Sequence, residues 1–119
     1  MTVLVEDVYT LLSTLAPAGG VWPMVNSAGA PAYPYIVFQR VVSVDNVALG
    51  GRSVMQNTRL QIDVYALSYL QADALATAID SAFASWALWQ NVPIAQQDLY
   101  EDSVKAFRIS RDYSVWSTN

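Results

Sequence analysis

The chain of 119 residues contains no cysteine and no histidine. Without cysteine there are no disulfides, thiolate metal sites or cysteine nucleophiles. Without histidine the sequence lacks the commonest general base and the commonest transition-metal ligand, which excludes catalytic triads and typical zinc hydrolases. Only chemistry carried by carboxylates stays open. We therefore expect a protein that is not an enzyme and holds no cofactor or metal.

Charge is also scarce. Charged residues make up 13% of the chain and hydrophobic residues 54%, whereas soluble domains average about 25% charged residues. Such a surface has to expose apolar side chains, and extensive apolar exposure marks an interface. A monomer covered by Ser, Thr, Asn and Gln is the alternative. The four Trp and seven Tyr residues favour the interface, because these types are enriched in contact patches.

The charge that is present is mostly negative, with a net value of -4. The basic patch that neutralises phosphates in nucleic-acid-binding proteins is missing, so DNA binding is not expected. The first residues lack the basic region of a secretory signal. The longest apolar stretch, Leu75 to Trp89, is too short to span a bilayer and is broken by Asp80. We expect synthesis in the cytosol and no membrane segment.

Two stretches have the spacing of amphipathic helices. Residues 5–15 repeat apolar side chains at helical intervals, and Pro17 with Gly19 and Gly20 ends this helix in a chain reversal. A capping box at 68–71 starts the second helix. Its predicted core stripe is Ala72, Leu75, Ala76, Ile79, Ala82, Phe83 and Trp86.

Strands are predicted over residues 33–44, 58–66, 94–100 and 106–116, from their β-branched and aromatic content and their alternation. Residues 21–24 can add a short edge strand. The predicted order is α-β-β-α-β-β. This indicates a single α+β domain over residues 1–119, with a mainly antiparallel sheet and two helices packed on one face.

Both faces of the first long strand are apolar. Two helices can cover only one side of a sheet, so a neighbouring subunit is a natural cover for the other side. The predicted faces are Tyr35, Val37 and Val41 on one side, and Ile36, Phe38 and Val42 on the other.

The segment from Asp45 to Gln56 contains Gly50-Gly51-Arg52 and is predicted to be a protruding loop. Glu101 and Asp102 form an acidic turn that in principle can hold a hard cation. Acidic turn residues are ordinarily solvated, however, and their spacing matches no EF-hand or paired-carboxylate glycosidase pattern.

Four charged residues stand on the polar faces of two predicted strands. Arg59 and Asp63 share one strand, and Arg108 and Asp112 share another. They can form cross-strand pairs within one subunit or give register to an interface between subunits. Both interpretations stay open.

The tryptophans divide in a similar way. Trp86 is expected in the core, on the stripe of the second helix. Trp89 and Trp116 lie at the ends of predicted elements, where local packing and an interface anchor are both consistent with the pattern.

Three segments, Tyr33–Arg40, Gln61–Ala66 and Arg108–Trp116, follow one another around an Ala-rich helix. Their order and spacing resemble the tail-completion family of long-tailed bacteriophages, also called tail terminator or tail-to-head joining proteins. The resemblance extends from the first helix to Trp116. No single segment is a chemical motif, and the succession of the three carries the resemblance.

The resemblance implies a homo-hexameric ring on the head-proximal end of the tail tube. Such a ring stops tube polymerisation and offers its other surface to the neck, so its partners are the tail tube protein and a neck or head-completion protein. DNA passes through it without specific binding. The location implied is the head-tail junction of the virion, after assembly in the host cytoplasm.

Other functions remain open at this point, namely another phage neck protein (head-completion or stopper) or a dimeric ligand-binding α+β domain. The candidate interface residues are Arg40, Asp45, Arg52, Arg59, Asp63, Trp89, Arg108, Asp112 and Trp116.

Overall fold

The computed structural model describes residues 4–29, 31–45 and 55–118. Within these ranges two helices and five strands follow one another along the chain. They are α1 Leu4–Ser13, β1 Val21–Pro23, β2 Tyr35–Asp45, β3 Met55–Ala66, α2 Tyr69–Ala84, β4 Gln90–Glu101 and β5 Ala106–Thr118.

The five strands form one sheet in the order β1-β2-β3-β5-β4. Strand β1 runs parallel to β2, and all other neighbours are antiparallel. The α+β class and the mainly antiparallel sheet are confirmed. The order α-β-β-α-β-β holds for the long elements, with the short parallel strand β1 added in the stretch where an edge strand was considered.

Both helices pack on the same face of the sheet. Helix α1 buries Leu4, Val8 and Leu12 in the same apolar cluster that α2 enters. The sheet supplies alternate residues to this cluster, as a period of two requires. They are Ile36 and Phe38 from β2, Leu60, Ile62 and Val64 from β3, and Ile109, Tyr113 and Val115 from β5.

Helix α2 begins where the capping box predicts. Ser68 is its N-cap, and its Oγ accepts a hydrogen bond from the backbone N–H of Gln71 at 3.5 Å. Near the other end, the Phe83 ring stacks on Tyr113 with centroids 4.3 Å apart. Asp80 accepts hydrogen bonds from Arg111 at 3.0 Å and from the Tyr113 hydroxyl at 3.1 Å. The helix is thus joined to β5 by both apolar and polar contacts.

The turn after α1 depends on glycine. A Cβ at Gly19 would lie 1.9 Å from the Ala32 carbonyl oxygen, and Gly20 adopts a φ of +85°. The Gly19 N–H donates to the Pro34 carbonyl at 2.8 Å. This close approach brings β1 alongside β2.

Strand β2 contains a β-bulge that the sequence pattern does not reveal. Its register with β3 shifts between Arg40 and Val42, which leaves Val41 without an opposing residue. Beyond the bulge Val42 pairs with Arg59 on the face away from the helices. The prediction that Val42 shares a face with Ile36 and Phe38 is therefore wrong, because one extra residue reverses the alternation.

The second face of β2 is partly covered by the chain itself. Tyr35 and Val37 point away from the helices, and each is 9% exposed or less. Tyr35 stacks on Tyr65 with centroids 4.8 Å apart and touches Tyr33 at 5.3 Å. At this end of the strand no neighbouring subunit is needed to bury these side chains, which corrects the expectation above.

The last two strands form the predicted hairpin and are longer than predicted. Strand β4 extends from Gln90 to Glu101, and its register with β5 shifts between Pro93 and Ala95, so Ile94 is a second bulge. Residues 46–54 of the predicted loop between β2 and β3 lie outside the described residues.

Candidate subunit interface

The face of the sheet away from the helices, here called the open face, carries two groups of ion pairs. Arg59 donates through Nε to Asp112 at 3.1 Å. Arg108 donates to Asp63 at 3.3 Å and to Glu101 at 3.0 Å. The four charged strand residues predicted from the sequence are thus paired across strands within one subunit.

Burial makes the ion pairs of Arg108 stronger than the pair of Arg59 with Asp112. Asp63 is 6% exposed and also accepts hydrogen bonds from the Gln61 amide. Burial lowers the pKa of Arg108, but the hydrogen bond that it donates to Glu101 and the charge of Asp63 outweigh burial, so this pKa is raised. Arg108 therefore stays charged at all ordinary pH values.

Tyrosines lie beside this charged group. The Arg108 guanidinium lies 5.8 Å from the centroid of the Tyr65 ring, in cation-π geometry. Burial raises the pKa of Tyr65, and burial together with the neighbouring tyrosines raises that of Tyr35 to about 12. Both hydroxyls are therefore neutral at physiological pH.

Two shallow hollows adjoin on the open face and share Gln61 and Arg108. Their volumes are about 250 and 240 Å³. Ligand sites usually measure about 300 to 1,000 Å³ and are mostly apolar. Small size and polar walls do not favour a small-molecule site here.

Large exposed apolar side chains are concentrated at the two outer edges of the sheet. At the β1–β2 edge they are Met24, Val25, Val41 and Val42, and at the β4 edge they are Leu88, Val92 and Ile94. Each is about half exposed or more. Exposure of this extent on both edges is typical of a surface that another chain covers.

A third exposed apolar patch lies at one end of the molecule, where α2 begins beside the β4–β5 hairpin. Tyr69 and Tyr100 both pack edge-on against Phe107. The exposed members of this patch are Leu67, Tyr69, Leu70, Tyr100 and Val104.

The remaining predicted interface residues have different surroundings. Arg40 is exposed at the β1–β2 edge. Trp89 is half-buried and donates its indole N–H to Asp7 at 2.9 Å, as local packing requires, and Trp116 is half-buried on the open face. Asp45 ends β2 opposite Gln56. Arg52 lies outside the described residues.

Trp86 packs against the core as expected, edge-on to Phe83 at 5.4 Å. In the acidic turn, Glu101 pairs with Arg108. Across residues 4–29, 31–45 and 55–118, no group of three or more acidic side chains is arranged to hold a metal ion. No helix in these ranges is long and apolar enough to cross a membrane.

Sequence reasoning selected charged residues and tryptophans and missed the aliphatic edges. Val42 and Val92 are ordinary strand residues in the sequence. Only the strand order makes β4 an outer strand, and only the short pairing with β1 leaves the second half of β2 at the other edge. The ion pair of Asp80 with Arg111 was also missed. Its signal was the lone Arg111 among the apolar residues of one strand face, opposite an acidic residue of α2.

Taken together, the fold is a two-helix α+β sheet whose uncovered apolar surface lies at its edges and at one end, as in subunits of larger assemblies. The family model of "Tail completion protein gp17" matches residues 7–118. The chain therefore belongs to this family, and it is a structural protein of the bacteriophage tail or neck.

Solved structures support the fold. Twenty-eight chains match, and one of them comes from a particle described as "Virion of native gene transfer agent (GTA) particle". That chain superposes with a TM-score of 0.73 at 18% sequence identity, over 98% of this chain and 95% of its own length. A comparison with curated protein sequences finds no significant match.

Proposed function

We propose that the whole chain acts as one tail-terminator domain, which assembles as a homo-hexameric ring on the head-proximal end of the tail tube. The ring ends tube polymerisation and presents its opposite surface to a neck or head-completion protein. It has no catalytic role and resides at the head-tail junction of the virion, after assembly in the host cytoplasm.

The observation that carries this proposal is the distribution of exposed aliphatic side chains. They lie on both outer edges of one sheet, on Val41 and Val42 at one edge and on Val92 and Ile94 at the other. A ring subunit needs two different lateral surfaces, because each copy contacts one neighbour on either side. The patch at the α2 end, with Leu67 and Leu70, supplies a further surface for contacts above or below the ring.

The charge of the chain is compatible with a channel for DNA. The net charge is -4, and three of the arginines, Arg59, Arg108 and Arg111, are paired with carboxylates. Few cations are left to bind phosphates, so DNA can pass without adhering. The residues from Asp45 to Gln56, including Arg52, are proposed to contact a neighbouring ring or tube subunit.

Two measurements test the proposal. Light scattering on purified protein should give a mass of about 79 kDa, six times the 13.1 kDa of one chain. Tail tube protein polymerised with the chain present should yield tubes that stop growing, whereas an equal amount of an unrelated acidic protein should leave tube length unchanged.

Other outcomes would contradict the terminator role. Binding to a neck protein without any effect on tube length would favour a head-completion or stopper protein. A stable dimer that ignores tubes and binds a metabolite would favour a ligand-binding domain.

A further inference from the structure

We propose that neighbouring copies in the ring join through a single seam, in which the β2 edge of one copy meets the β4 edge of the next. This inference rests on the proposed ring and specifies its lateral contact. The strands run along the ring axis, and the helices of all copies lie on the same side of the joined sheets.

Strand direction favours this seam. Strands β2, β3, β5 and β4 are each antiparallel to the next, so β2 and β4 run in opposite directions at the two edges. When a second copy is placed beside the first in the same orientation, its β2 edge meets the first copy's β4 edge as an antiparallel pair, which a sheet accepts readily.

The β2 edge is free where such contact requires it. Strand β1 pairs with β2 only from Ile36 to Phe38, and the Met24 N–H extends this pairing by one bond to the Phe38 carbonyl. From Gln39 to Asp45, β3 is the only strand that pairs with β2 among the described residues. No other strand of the described ranges therefore covers the second half of β2.

The two edges match in height along the strands. Val42 pairs with Arg59, Arg59 with Ser114, and Ser114 with Val92, so these residues form one row across the sheet. Both ends of the row, Val42 and Val92, point to the open face and are about half exposed, at 51% and 47%. A ring operation is a pure rotation, so with strands along the axis it continues each row into the same row of the next copy.

The two bulges lie on either side of the neighbouring row, which is that of Leu60. Val41 bulges from β2 between the rows of Leu60 and Arg59, and Ile94 bulges from β4 next to Pro93, whose row is that of Leu60. Bulged edges resist indiscriminate strand pairing. With Val42 and Val92 in one row and a bulge on either side of the row of Leu60, the two edges fit each other in one register, which gives the seam its specificity.

The contact is heterologous because its two sides differ. One side contributes Val41 and Val42, and the other contributes Val92 and Ile94. A contact between unlike surfaces propagates from copy to copy and gives a ring where the rotation closes, as the proposed hexamer requires, whereas contact between like surfaces would end at a dimer.

Disulfide cross-linking tests the seam, because the chain contains no cysteine to confuse the result. Directly opposed residues of an antiparallel pair have Cβ atoms about 4.5 to 5.5 Å apart, close to what a disulfide spans. The variant with both Val42→Cys and Val92→Cys should, on oxidation, give a ladder of covalent oligomers that ends at the ring size and disappears on reduction.

Three controls make the result specific. Val42→Cys alone and Val92→Cys alone should each give at least tenfold less cross-linked product. The double variant Val42→Cys with Leu70→Cys should also give at least tenfold less cross-linked product, because Leu70 lies on α2 and not at the seam. Its side chain is 78% exposed, more than Val42 or Val92, so low exposure cannot explain a weak cross-link. Circular dichroism identifies any variant that fails to fold. For such a case Arg40→Cys with Pro93→Cys, which share the row of Leu60, provides a second seam pair.

The outcomes separate the two proposals. Rings seen by light scattering without a ladder from either seam pair would overturn the seam and leave the ring intact. Efficient cross-linking of a single variant would indicate contact between like edges and would also overturn the seam. A ladder from protein that does not alter tube length would support the seam and refute the terminator role, and protein that forms neither rings nor ladders would overturn both.

Discussion

Replacing Arg108 by leucine should destabilise the folded subunit itself, independently of any assembly. The Arg108 guanidinium donates to Asp63 and to Glu101 and lies over Tyr65. Asp63 is 6% exposed, and its remaining donor is the neutral amide of Gln61. Without Arg108, a buried carboxylate loses its cationic partner.

The expected loss in the free energy of unfolding follows from the burial of Asp63. Removing one partner of a buried ion pair typically costs about 3 to 5 kcal/mol, because the other charge is left uncompensated. The side chain of Arg108 is still 24% exposed, and water screens such a pair, so we expect about 2 to 3 kcal/mol. Changing Asp63 to leucine as well removes the stranded charge, and the double variant should recover about 1 to 2 kcal/mol relative to Arg108→Leu.

Urea unfolding followed by tryptophan fluorescence gives these free energies, provided that it is repeated at several protein concentrations. Assembly makes apparent stability depend on concentration, whereas a contact within one subunit does not. Arg59→Leu is the matched control, since Arg59 lies on the same face but its pair with Asp112 is more exposed, and it should cost about 1 kcal/mol or less. If Arg108→Leu were no worse than Arg59→Leu, or impaired only assembly, the reasoning from burial would be refuted.

Three further predictions concern the core, alkaline pH and the β2 edge. Phe83→Ala should cost about 3 to 5 kcal/mol in urea unfolding, because it leaves a cavity against Tyr113; a cost below 1 kcal/mol would contradict this packing. Burial raises the pKa of Tyr113 from 10.0 to about 12, so stability should be fully present below pH 10 and fall as the pH rises towards 12, and thermal melts of Tyr113→Phe should show a flatter decline over that range. Arg40→Glu should leave the melting temperature within a few degrees of wild type but reduce ring formation in light scattering, while Lys105→Glu, in the hairpin turn, should change neither; unchanged rings would exclude Arg40 from the contact.

The parts of the fold that follow from short-range patterns could be predicted from the sequence. The Ser68 cap, the stripe that includes Phe83, and the alternation of Leu60, Ile62 and Val64 all depend on residues within a few positions of one another. Such signals are local, because helix and strand periodicities decide which side chains face the core. Alternation also placed the four strand charges on polar faces, and it left open whether they pair within one subunit or between subunits.

The part of the sequence prediction that failed is the face of Val42. Alternation assigns every second residue to the same side of the sheet as long as the strand is regular. A bulge adds one residue, and the pattern of side chains in the sequence does not reveal it. Arg40, Val41 and Val42 are residues that any regular strand accepts. The bulge lies in the pairing of β2 with β3, where the register shifts between Arg40 and Val42. This pairing joins residues far apart in the sequence, so no local window of sequence contains it.

The location of the exposed apolar surface also depends on the pairing of strands that are far apart in the sequence. Composition alone indicates that apolar surface stays uncovered, since only 13% of the residues are charged. Composition does not say where this surface lies. Strand β5 is inserted between β3 and β4, which makes β4 an outer strand and exposes Val92 and Ile94, while the brevity of β1 exposes the second half of β2. The insertion of β5 and the brevity of β1 thus create the two edges, and a rearrangement that covered either edge within the subunit would remove one side of the proposed seam.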